Sequence, residues 1–260
     1  MSNAYLNRPA HHLPENIKND EAVEKELIRN YFNNKKNGVF VEVGANDPTS
    51  PESQTFHLEQ LLGWTGLLVE PIPYLAQLAR NERLGVVVCE CACTSPEKTG
   101  VLEFLIPKKG EELLTGHASL EANLDEHNYS EFKKISVNAV TLSSLLAANN
   151  IKQIDFLSID VEGAELDVLI GADLQNTKPT LILLEDKHLY LIKHRYLVRQ
   201  GYVLAQRHNR NCWYIRTGAP LPKVVFKMKL KLWKRMYISI WIKKISYAVR
   251  HRTLRPFLVL

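Results

Sequence analysis

Short apolar runs alternate with amphipathic segments along most of the chain. Five runs have the length and β-branched content of strands, and they lie near 39–43, 66–70, 86–92, 154–159 and 180–185. Between them, apolar positions recur at helical spacing near 54–62, 72–81, 141–149 and 164–171. This alternation predicts an α/β fold with a doubly wound, mostly parallel sheet.

Two further patterns extend this core. Residues 20–34 carry apolar side chains at helical spacing and predict a helix that enters the core. The segment from Gly201 to Arg216 has β-rich halves around a polar turn and predicts a closing antiparallel hairpin. We therefore divide the chain into an N-terminal extension with its helix, a core domain and a C-terminal tail, which cover residues 1–37, 38–217 and 218–260.

A glycine turn follows the first predicted strand. The run from Gly38 to Asn46 reads GVFVEVGAN, and Glu70 ends the second strand 26 residues after Gly44. In an open α/β sheet such a turn lets a cofactor approach the backbone, and an acid at the second strand end can accept hydrogen bonds from both ribose hydroxyls. A dinucleotide fold uses several glycines to receive a pyrophosphate. The single glycine favours S-adenosylmethionine (SAM), which has no phosphate, over a dinucleotide.

Acidic residues follow the fourth and fifth predicted strands, where open α/β sheets hold their ligands. Asp160, Glu162 and Glu165 gather after the fourth strand, and Glu185 and Asp186 end the fifth. An all-oxygen Mg²⁺ site made of Asp160, Glu185 and Asp186 would bind an acceptor hydroxyl and lower its pKa. The alternative is that these acids orient the acceptor or face solvent.

Histidines near these strand ends are candidates for acid–base chemistry. His188, two residues beyond the fifth strand, is the first candidate for a general base, and Asp160 is the second catalytic candidate. A hydrogen-bonded surface position is the alternative for His188. Residues 107–135, which include His117, are either a substrate lid, an acceptor-binding insertion or an inert surface loop.

Five segments carry a resemblance to a known family: VEVGAND, LEQLLGWTGLLVEPIPYLAQLARN, CACTSPEKTGVLEF, SVNAVTLSSLL and DFLSIDVEGAELDVLIGA. They occur in the order and spacing of the FkbM-type SAM-dependent methyltransferases, which the chain resembles over about residues 38–217. The resemblance implies a Rossmann-like class I methyltransferase core that uses SAM to O-methylate a hydroxyl, often on a sugar of a glycan. The acids at Asp160, Glu185 and Asp186 are also similar to those of metal-dependent sugar O-methyltransferases with the same core.

The SAM interpretation assigns six residues to the cofactor: Glu42, Gly44, Asn46, Glu70, Ala92 and Asp160. The first three are expected to contact the methionine moiety, Glu70 the ribose, and Ala92 with its neighbours the adenine edge. Glu42 is the weakest of these, because it could face the opposite side of the sheet. Trp64, in the GW segment, is expected to be a structural ring packed under the second strand.

Charge is divided unevenly along the 260 residues. Residues 1–186 hold 15 Lys and Arg against 28 Asp and Glu, whereas residues 187–260 hold 18 Lys and Arg and no acid. The acidic part makes nucleic acid a poor substrate, and the basic part predicts a surface that meets something anionic. The first 37 residues lack the apolar segment of a secretory signal, so we expect a cytosolic protein.

The four cysteines agree with a reducing compartment. Cys89, Cys91 and Cys93 alternate along the predicted third strand and would face one side together. They are either a metal-binding set or, as we favour, small buried strand residues. Cys212 is expected to pack in the last strand.

The tail is predicted to be a basic amphipathic helix over residues 223–250. Its apolar face includes Trp233 and Tyr237, and Lys231 and Lys234 belong to its basic face. Such helices lie in the interface of anionic membranes, and we therefore expect a peripheral protein at the inner face of the membrane. A helix docked on a partner or on a second copy, and a nucleic-acid arm, are the alternatives.

Together these patterns predict a SAM-dependent O-methyltransferase that acts on a hydroxyl of a saccharide, which could be lipid-linked. Two hypotheses from other classes stay open. One is a catalytically silent methyltransferase-like module that is recruited by its tail, and the other is an oxidoreductase with a nucleotide cofactor. The sequence leaves the acceptor and the oligomeric state undetermined, including whether the chain forms a homo-oligomer.

Overall fold

A seven-stranded sheet forms the centre of the molecule. The computed structural model describes residues 15–50, 53–120, 129, 131–186, 191–222, 226–239, 241, 242, 245, 246 and 249. The strands of this sheet are β1 Val39–Val43, β2 Thr65–Val69, β3 Val86–Cys89, β9 Phe156–Ile159, β10 Leu181–Glu185, β11 Tyr202–His208 and β12 Asn211–Arg216. Their order is β11-β12-β10-β9-β1-β2-β3. The first five in chain order pair in parallel, and β12 is antiparallel to both its neighbours.

Helices cover both faces of this sheet. They are α1 Glu15–Tyr31, α2 Phe56–Leu62, α3 Pro73–Glu82, α4 Leu142–Ala148, α5 Glu165–Gly171, α6 Leu174–Thr177, α7 Leu191–Arg199 and α8 Phe226–Lys234. Local chemistry sets several of their ends, as at α4, where the Thr141 side chain accepts a hydrogen bond from the Ser144 amide. Alternate residues of β1 enter two different apolar clusters, Phe40 one and Val41 the other. The predicted doubly wound α/β class is therefore confirmed.

A second, smaller sheet packs beside the carboxyl ends of the central strands. Its strands are β4 Ala92–Cys93, β5 Gly100–Lys109, β6 Glu112–Leu113, β7 Ser119–Leu120 and β8 Phe132–Val140. The long strands β5 and β8 are antiparallel, and β4 pairs in parallel with β8. The predicted strand over 86–92 is thus wrong as one unit, because the chain leaves the central sheet after Cys89 and enters the second sheet at Ala92.

Buried polar contacts join the N-terminal segment to the core domain. Glu24 of α1 accepts hydrogen bonds from the Trp213 indole at 2.8 Å and from the Asn211 amide at 2.6 Å. Trp64 is buried, as predicted, and its indole donates to the Lys35 carbonyl at 2.7 Å. Helix α1 and the strand β12 are therefore packed against each other although they are far apart in sequence.

The cysteines are packing residues in this fold. Cys91, Cys93 and Cys212 are buried and Cys89 is partly exposed, and all four are free thiols. Burial raises the pKa of the Cys91 thiol to about 12. Among the residues that the structure describes, no cysteine belongs to a group that could hold a metal ion. The favoured prediction of small buried side chains agrees with this arrangement.

The tail begins as part of the domain surface. Helix α8 continues into one π-helical turn over Arg235–Ser239. Met236 is buried in the same apolar cluster as β10 and β12, and Leu232 packs against that cluster. No helix in the described part of the chain is long and apolar enough to cross a membrane.

Candidate active site

The carboxyl ends of β1 and β9 meet at the centre of the sheet, where the strand order changes direction. Gly44 follows β1 with φ of +84°, and its amide donates to the Val69 carbonyl at 3.0 Å. A Cβ at Gly44 would lie 1.8 Å from the backbone oxygen of Asp160. Only glycine therefore lets these two strand ends lie so close together. Open α/β sheets bind ligands at this kind of switch point.

Glu70, the predicted ribose ligand, lies at the end of β2 and is buried. Its Oε2 accepts a hydrogen bond from the Asn46 amide at 2.7 Å, and its Oε1 accepts one from the Ile72 amide at 2.8 Å. Burial raises the pKa of the Glu70 carboxyl to about 7, although both amides oppose that rise. Each oxygen keeps a second lone pair, so the carboxylate can still accept hydrogen bonds from a diol.

Asn46 connects the glycine turn to the second sheet. The residue has a left-handed backbone, with φ of +45°, and its side-chain oxygen accepts a hydrogen bond from the Thr115 hydroxyl at 2.9 Å. Thr115 begins a short 3₁₀ turn that ends at His117. The predicted insertion over 107–135 therefore reaches the edge of the candidate cofactor site. Thr115 was missed from sequence, since nothing in its surroundings distinguishes it from other loop threonines.

An apolar wall lies beside Glu70. Ala92 is buried in a cluster that also contains Ile72 and Leu75, the residues that follow β2. Ala92 lies in the second sheet rather than in the third strand of the central sheet. It thus stays next to the end of β2, which is where an adenine ring would be expected if Glu70 binds the ribose.

Glu42 differs from its predicted role at the cofactor. Its carboxylate is buried and accepts hydrogen bonds from the Ser53 hydroxyl, the Gln54 amide and the Thr55 hydroxyl, at 3.1, 2.8 and 2.6 Å. It lies on the Phe40 side of β1, because side chains alternate along a strand. The geometry therefore gives Glu42 a structural role in holding the segment before α2, while Oε1, with one donor, keeps a second lone pair.

Arg83 continues this buried network beneath the glycine turn. Its guanidinium donates to the Pro48 carbonyl at 3.0 Å, to the Thr55 hydroxyl at 3.1 Å and to the Glu59 carboxylate. The side chain is fully buried. Arg83 therefore fixes the loop that carries Asn46, a role without a sequence signal because the residue simply follows a helix.

Three carboxylates come together at the ends of β9 and β10. Asp160, Glu162 and Glu185 each place one oxygen so that all three atoms lie within 4.8 Å of one another. Asp160 and Glu185 hydrogen-bond to each other, which requires a shared proton at one of them. We call these three residues the acid cluster.

The pKa of Asp160 in the acid cluster differs from that of an ordinary carboxyl. Desolvation by the surrounding protein raises the pKa of Asp160 well above its usual value, and the carboxylates of Glu185 and Glu162 raise it further. The Asp160 residue is nevertheless exposed to solvent. Repulsion between the carboxylates is therefore the cause that persists when water fills the cleft.

Asp186 is not part of the acid cluster, which corrects the predicted metal set. Its carboxylate pairs with the Lys193 ammonium at 3.5 Å, and Lys193 also donates to Glu165 at 2.9 Å. Successive residues at a strand end point to opposite sides, so Glu185 and Asp186 cannot both face Asp160. Glu162 takes the third position instead. Glu165, the third acid of the DVEGAE segment, is occupied by Lys193 and by the Gly163 amide at 2.8 Å.

The sequence matches the family model of the methyltransferase FkbM domain over residues 42–204, which is more than half of the chain. The chain belongs to the FkbM methyltransferase family. The predicted family is thereby confirmed, and the largely parallel sheet agrees with the predicted Rossmann-like methyltransferase class. No curated protein matches the chain significantly.

Solved structures of two methyltransferases are similar to this chain. The FkbM methyltransferase from Methylobacillus flagellatus KT is 16% identical, with a TM-score of 0.42, over 70% of this chain and 44% of that chain. The precorrin-6y C5,15-methyltransferase from Geobacter metallireducens GS-15 is 12% identical, with a TM-score of 0.37, over 74% of this chain and 85% of that chain. The chain thus spans less than half of the Methylobacillus protein. Neither likeness bears on its substrate.

Two histidines were candidates near the acid cluster, and the structure describes one of them, His117. His117 Nδ1 lies 4.0 Å from Glu162 Oε1, which brings the insertion to the acid cluster. The ring also stacks at a tilt near Tyr129, with centroids 5.9 Å apart. His188, the predicted general base, lies outside the described residues and stays a prediction. His117 is therefore the histidine that the structure places beside the acid cluster.

Proposed function

We propose that this FkbM methyltransferase transfers a methyl group from SAM to a hydroxyl of a saccharide. The observation that carries the proposal is the pairing of two features at one switch point. Glu70 offers a buried carboxylate held by two amides at the end of β2, and the acid cluster lies across Gly44 at the ends of β9 and β10. A cofactor and an acceptor would thus meet above the end of β1.

The residues present fit SAM. A ribose diol donates two hydrogen bonds, and the lone pairs that remain on Glu70 can accept them. The backbone at Gly44 has no side chain between it and the cleft, so a bulky cofactor can approach it. The acid cluster supplies negative charge beside the site, which suits a sulfonium cation. When bound, SAM supplies an electrophilic methyl group.

Activation of the acceptor is assigned to the acid cluster. A sugar hydroxyl is a poor acid, and a carboxylate whose pKa is raised toward neutrality is a stronger base for its proton. The pair of Asp160 and Glu185, in which the pKa of Asp160 is raised well above its usual value, is the candidate for this role. A bound Mg²⁺ is the second candidate, since three carboxylate oxygens within 4.8 Å offer the hard ligands that it prefers. The ion would lower the pKa of the bound hydroxyl.

A saccharide acceptor is favoured by the chemistry of the cleft as well as by the resemblance. The acid cluster offers several acceptor oxygens, which suit a substrate rich in hydroxyl donors. Residues 1–186 hold 28 acids against 15 bases, so a polyanionic acceptor would be repelled. A neutral sugar meets both conditions.

Calorimetric titration with SAM tests the cofactor assignment. Glu70→Ala removes the acceptor of the ribose hydroxyls and should weaken binding by about 1–3 kcal/mol. The matched control is Glu97→Ala, which removes an exposed glutamate outside the site and should bind SAM normally. Stabilisation of the wild type by NAD but not by SAM in a thermal shift assay would replace the proposal with the oxidoreductase hypothesis. No response to either would favour the silent module.

An assay of the wild-type protein, stripped of metal, tests how the acceptor hydroxyl is activated. Radiolabelled methyl transfer is measured on a panel of free and lipid-linked oligosaccharides, with EDTA and then with added Mg²⁺. Loss of turnover in EDTA with recovery in Mg²⁺ assigns activation to a bound ion. Undiminished turnover in EDTA, abolished by Asp160→Asn, assigns it to the carboxyl pair. If Asp160→Asn keeps full activity in either buffer, the acid cluster is not the activating group.

A further inference from the structure

The tail of the molecule has one face toward the domain and another toward solvent. On the inner side, Leu232 and Met236 pack into the apolar core, with Met236 only 4% exposed. The Tyr237 hydroxyl lies 3.4 Å from His194 Nε2 of α7. The first turns of the tail are thus fixed in orientation, and whatever lies on their outer side is presented by the folded domain itself.

Among the residues of the tail that the structure describes, the outer side carries several exposed apolar side chains. Leu230 and Trp233 are about half exposed, at 53% and 52%, and Ile242 reaches 61%. They lie on α8, on the π-helical turn that follows it and on the described residues beyond that turn. Its members are Leu230, Trp233, Ile238, Ile242, Ile245 and Val249. We call these residues the apolar stripe.

Exposed cations border the apolar stripe. Lys231 and Lys234 are exposed beside Leu230 and Trp233. They belong to a part of the sequence, residues 187–260, that holds 18 Lys and Arg and no acid. A surface that combines exposed Trp, Leu and Ile with unbroken positive charge has the chemistry of a helix lying in a membrane interface.

We propose that the apolar stripe and its lysines lie on the surface of an anionic lipid bilayer. Charge argues for this occupant over a second copy, because a symmetric contact would place two strongly basic segments against each other. Nucleic acid would satisfy the lysines but would leave the stripe exposed to water. An anionic bilayer satisfies both, since the apolar side chains enter the acyl boundary while the lysines reach the headgroups.

The bilayer proposal does not depend on the reaction that the active site performs. It concerns a surface on the outer side of α8, whereas the acid cluster lies at the ends of β9 and β10. A failure of SAM binding would leave it unchanged, and a failure of lipid binding would leave the proposed reaction unchanged.

Vesicle flotation of the full chain tests the proposal. The probes are vesicles of phosphatidylcholine with and without phosphatidylserine, at low and at high salt. The full chain should float with anionic vesicles, less so at high salt, and weakly with neutral ones. Lys231→Gln with Lys234→Gln should weaken binding roughly 30-fold, since each Lys near an anionic surface contributes about 1 kcal/mol. The charge-matched control, Lys109→Gln with Lys152→Gln, removes two exposed lysines elsewhere and should float like the wild type.

A second pair of variants separates apolar insertion from simple charge. Trp233→Gln with Ile242→Gln should weaken binding at least tenfold on anionic vesicles, while Leu84→Gln with Val101→Gln, two exposed sites outside the tail, should not. Thermal unfolding of each variant checks that the domain remains folded. The proposal is overturned if the wild type does not bind anionic vesicles at low salt, or if the tail lysine pair binds like its control. Self-association in ultracentrifugation that Trp233→Gln abolishes would assign the stripe to a second copy instead.

Discussion

Replacing Gly44 with alanine perturbs the point where β1 and β9 meet. The new methyl group would lie 1.8 Å from the backbone oxygen of Asp160. Neither strand end can yield alone, because the Asp160 amide donates to the Val43 carbonyl at 3.0 Å and the Gly44 amide donates to Val69. The two strand ends must therefore separate, which would also displace the acid cluster.

Gly44→Ala should lower the unfolding free energy in two ways, through backbone strain and through a steric clash, and Gly201→Ala serves to separate the two. A left-handed backbone costs a non-glycine residue about 1–2 kcal/mol, and forcing extra volume into packed structure costs about 1–3 kcal/mol more. Gly201 has the same φ of +84°, but a Cβ there would meet nothing within 4 Å. Gly201→Ala should therefore carry only the first cost, and Gly44→Ala should lose about 2–5 kcal/mol of unfolding free energy.

Urea denaturation followed by circular dichroism measures both variants against the wild type. Methyl transfer provides a second readout, since a displacement of about 1 Å at a reacting centre can cost roughly 100-fold in rate. Gly44→Ala should lose activity, and Gly201→Ala should keep it. The reasoning is wrong if the two variants lose the same unfolding free energy, or if Gly44→Ala retains full turnover.

Two further predictions concern buried charge. Lys193→Met removes the ammonium that pairs with the buried Glu165 and Asp186 and should lower the unfolding free energy, measured by urea denaturation, by about 3–5 kcal/mol. The control Lys98→Met breaks an ion pair whose lysine is half exposed, and it should lower the unfolding free energy by less than about 1 kcal/mol. Burial raises the pKa of Glu70 to about 7 from 4.5, so between these pH values the native state binds more protons than the unfolded state. The unfolding free energy should therefore fall as the pH rises from 4.5 to 7, by about 3 kcal/mol at most. Urea titrations at about pH 5 and pH 7.5 check this fall, which Glu70→Gln should reduce; an equal fall in the variant would assign it to another group.

The central sheet could be predicted because four of its five parallel strands, β1, β2, β9 and β10, are largely buried apolar runs followed by a helix. The second sheet could not. Its main strands, β5 and β8, pair with each other across the insertion between them, and nothing local in either strand identifies its partner. The turn between Cys89 and Ala92 also could not be predicted, because residues typical of strands continue across the point where the chain leaves one sheet and enters the other.

Several residues of the candidate active site could be predicted from their positions at the ends of the predicted strands. Gly44, Glu70 and Asp160 were expected at strand ends, and the topology brings those ends to one edge of the sheet. The choice between Glu185 and Asp186 depended on which side of β10 faces Asp160. Strand alternation allows only one of them to do so, but the sequence does not say which. Thr115 and Arg83 were beyond prediction, because their contacts join segments tens of residues apart.

The contact between Glu24 and β12 has a consequence for biosynthesis. Helix α1 emerges early from the ribosome, yet the side chains that satisfy its buried carboxylate belong to Asn211 and Trp213. Strand β12 also inserts between β10 and β11, so β10 keeps an open edge until that late segment arrives. A nascent chain released before residue 216 would lack part of β12, whose Asn211 and Trp213 side chains donate to Glu24, and would leave an edge of the sheet exposed. Completion of the central sheet therefore waits for nearly the whole domain, and truncated translation products should be targets for chaperones and proteases.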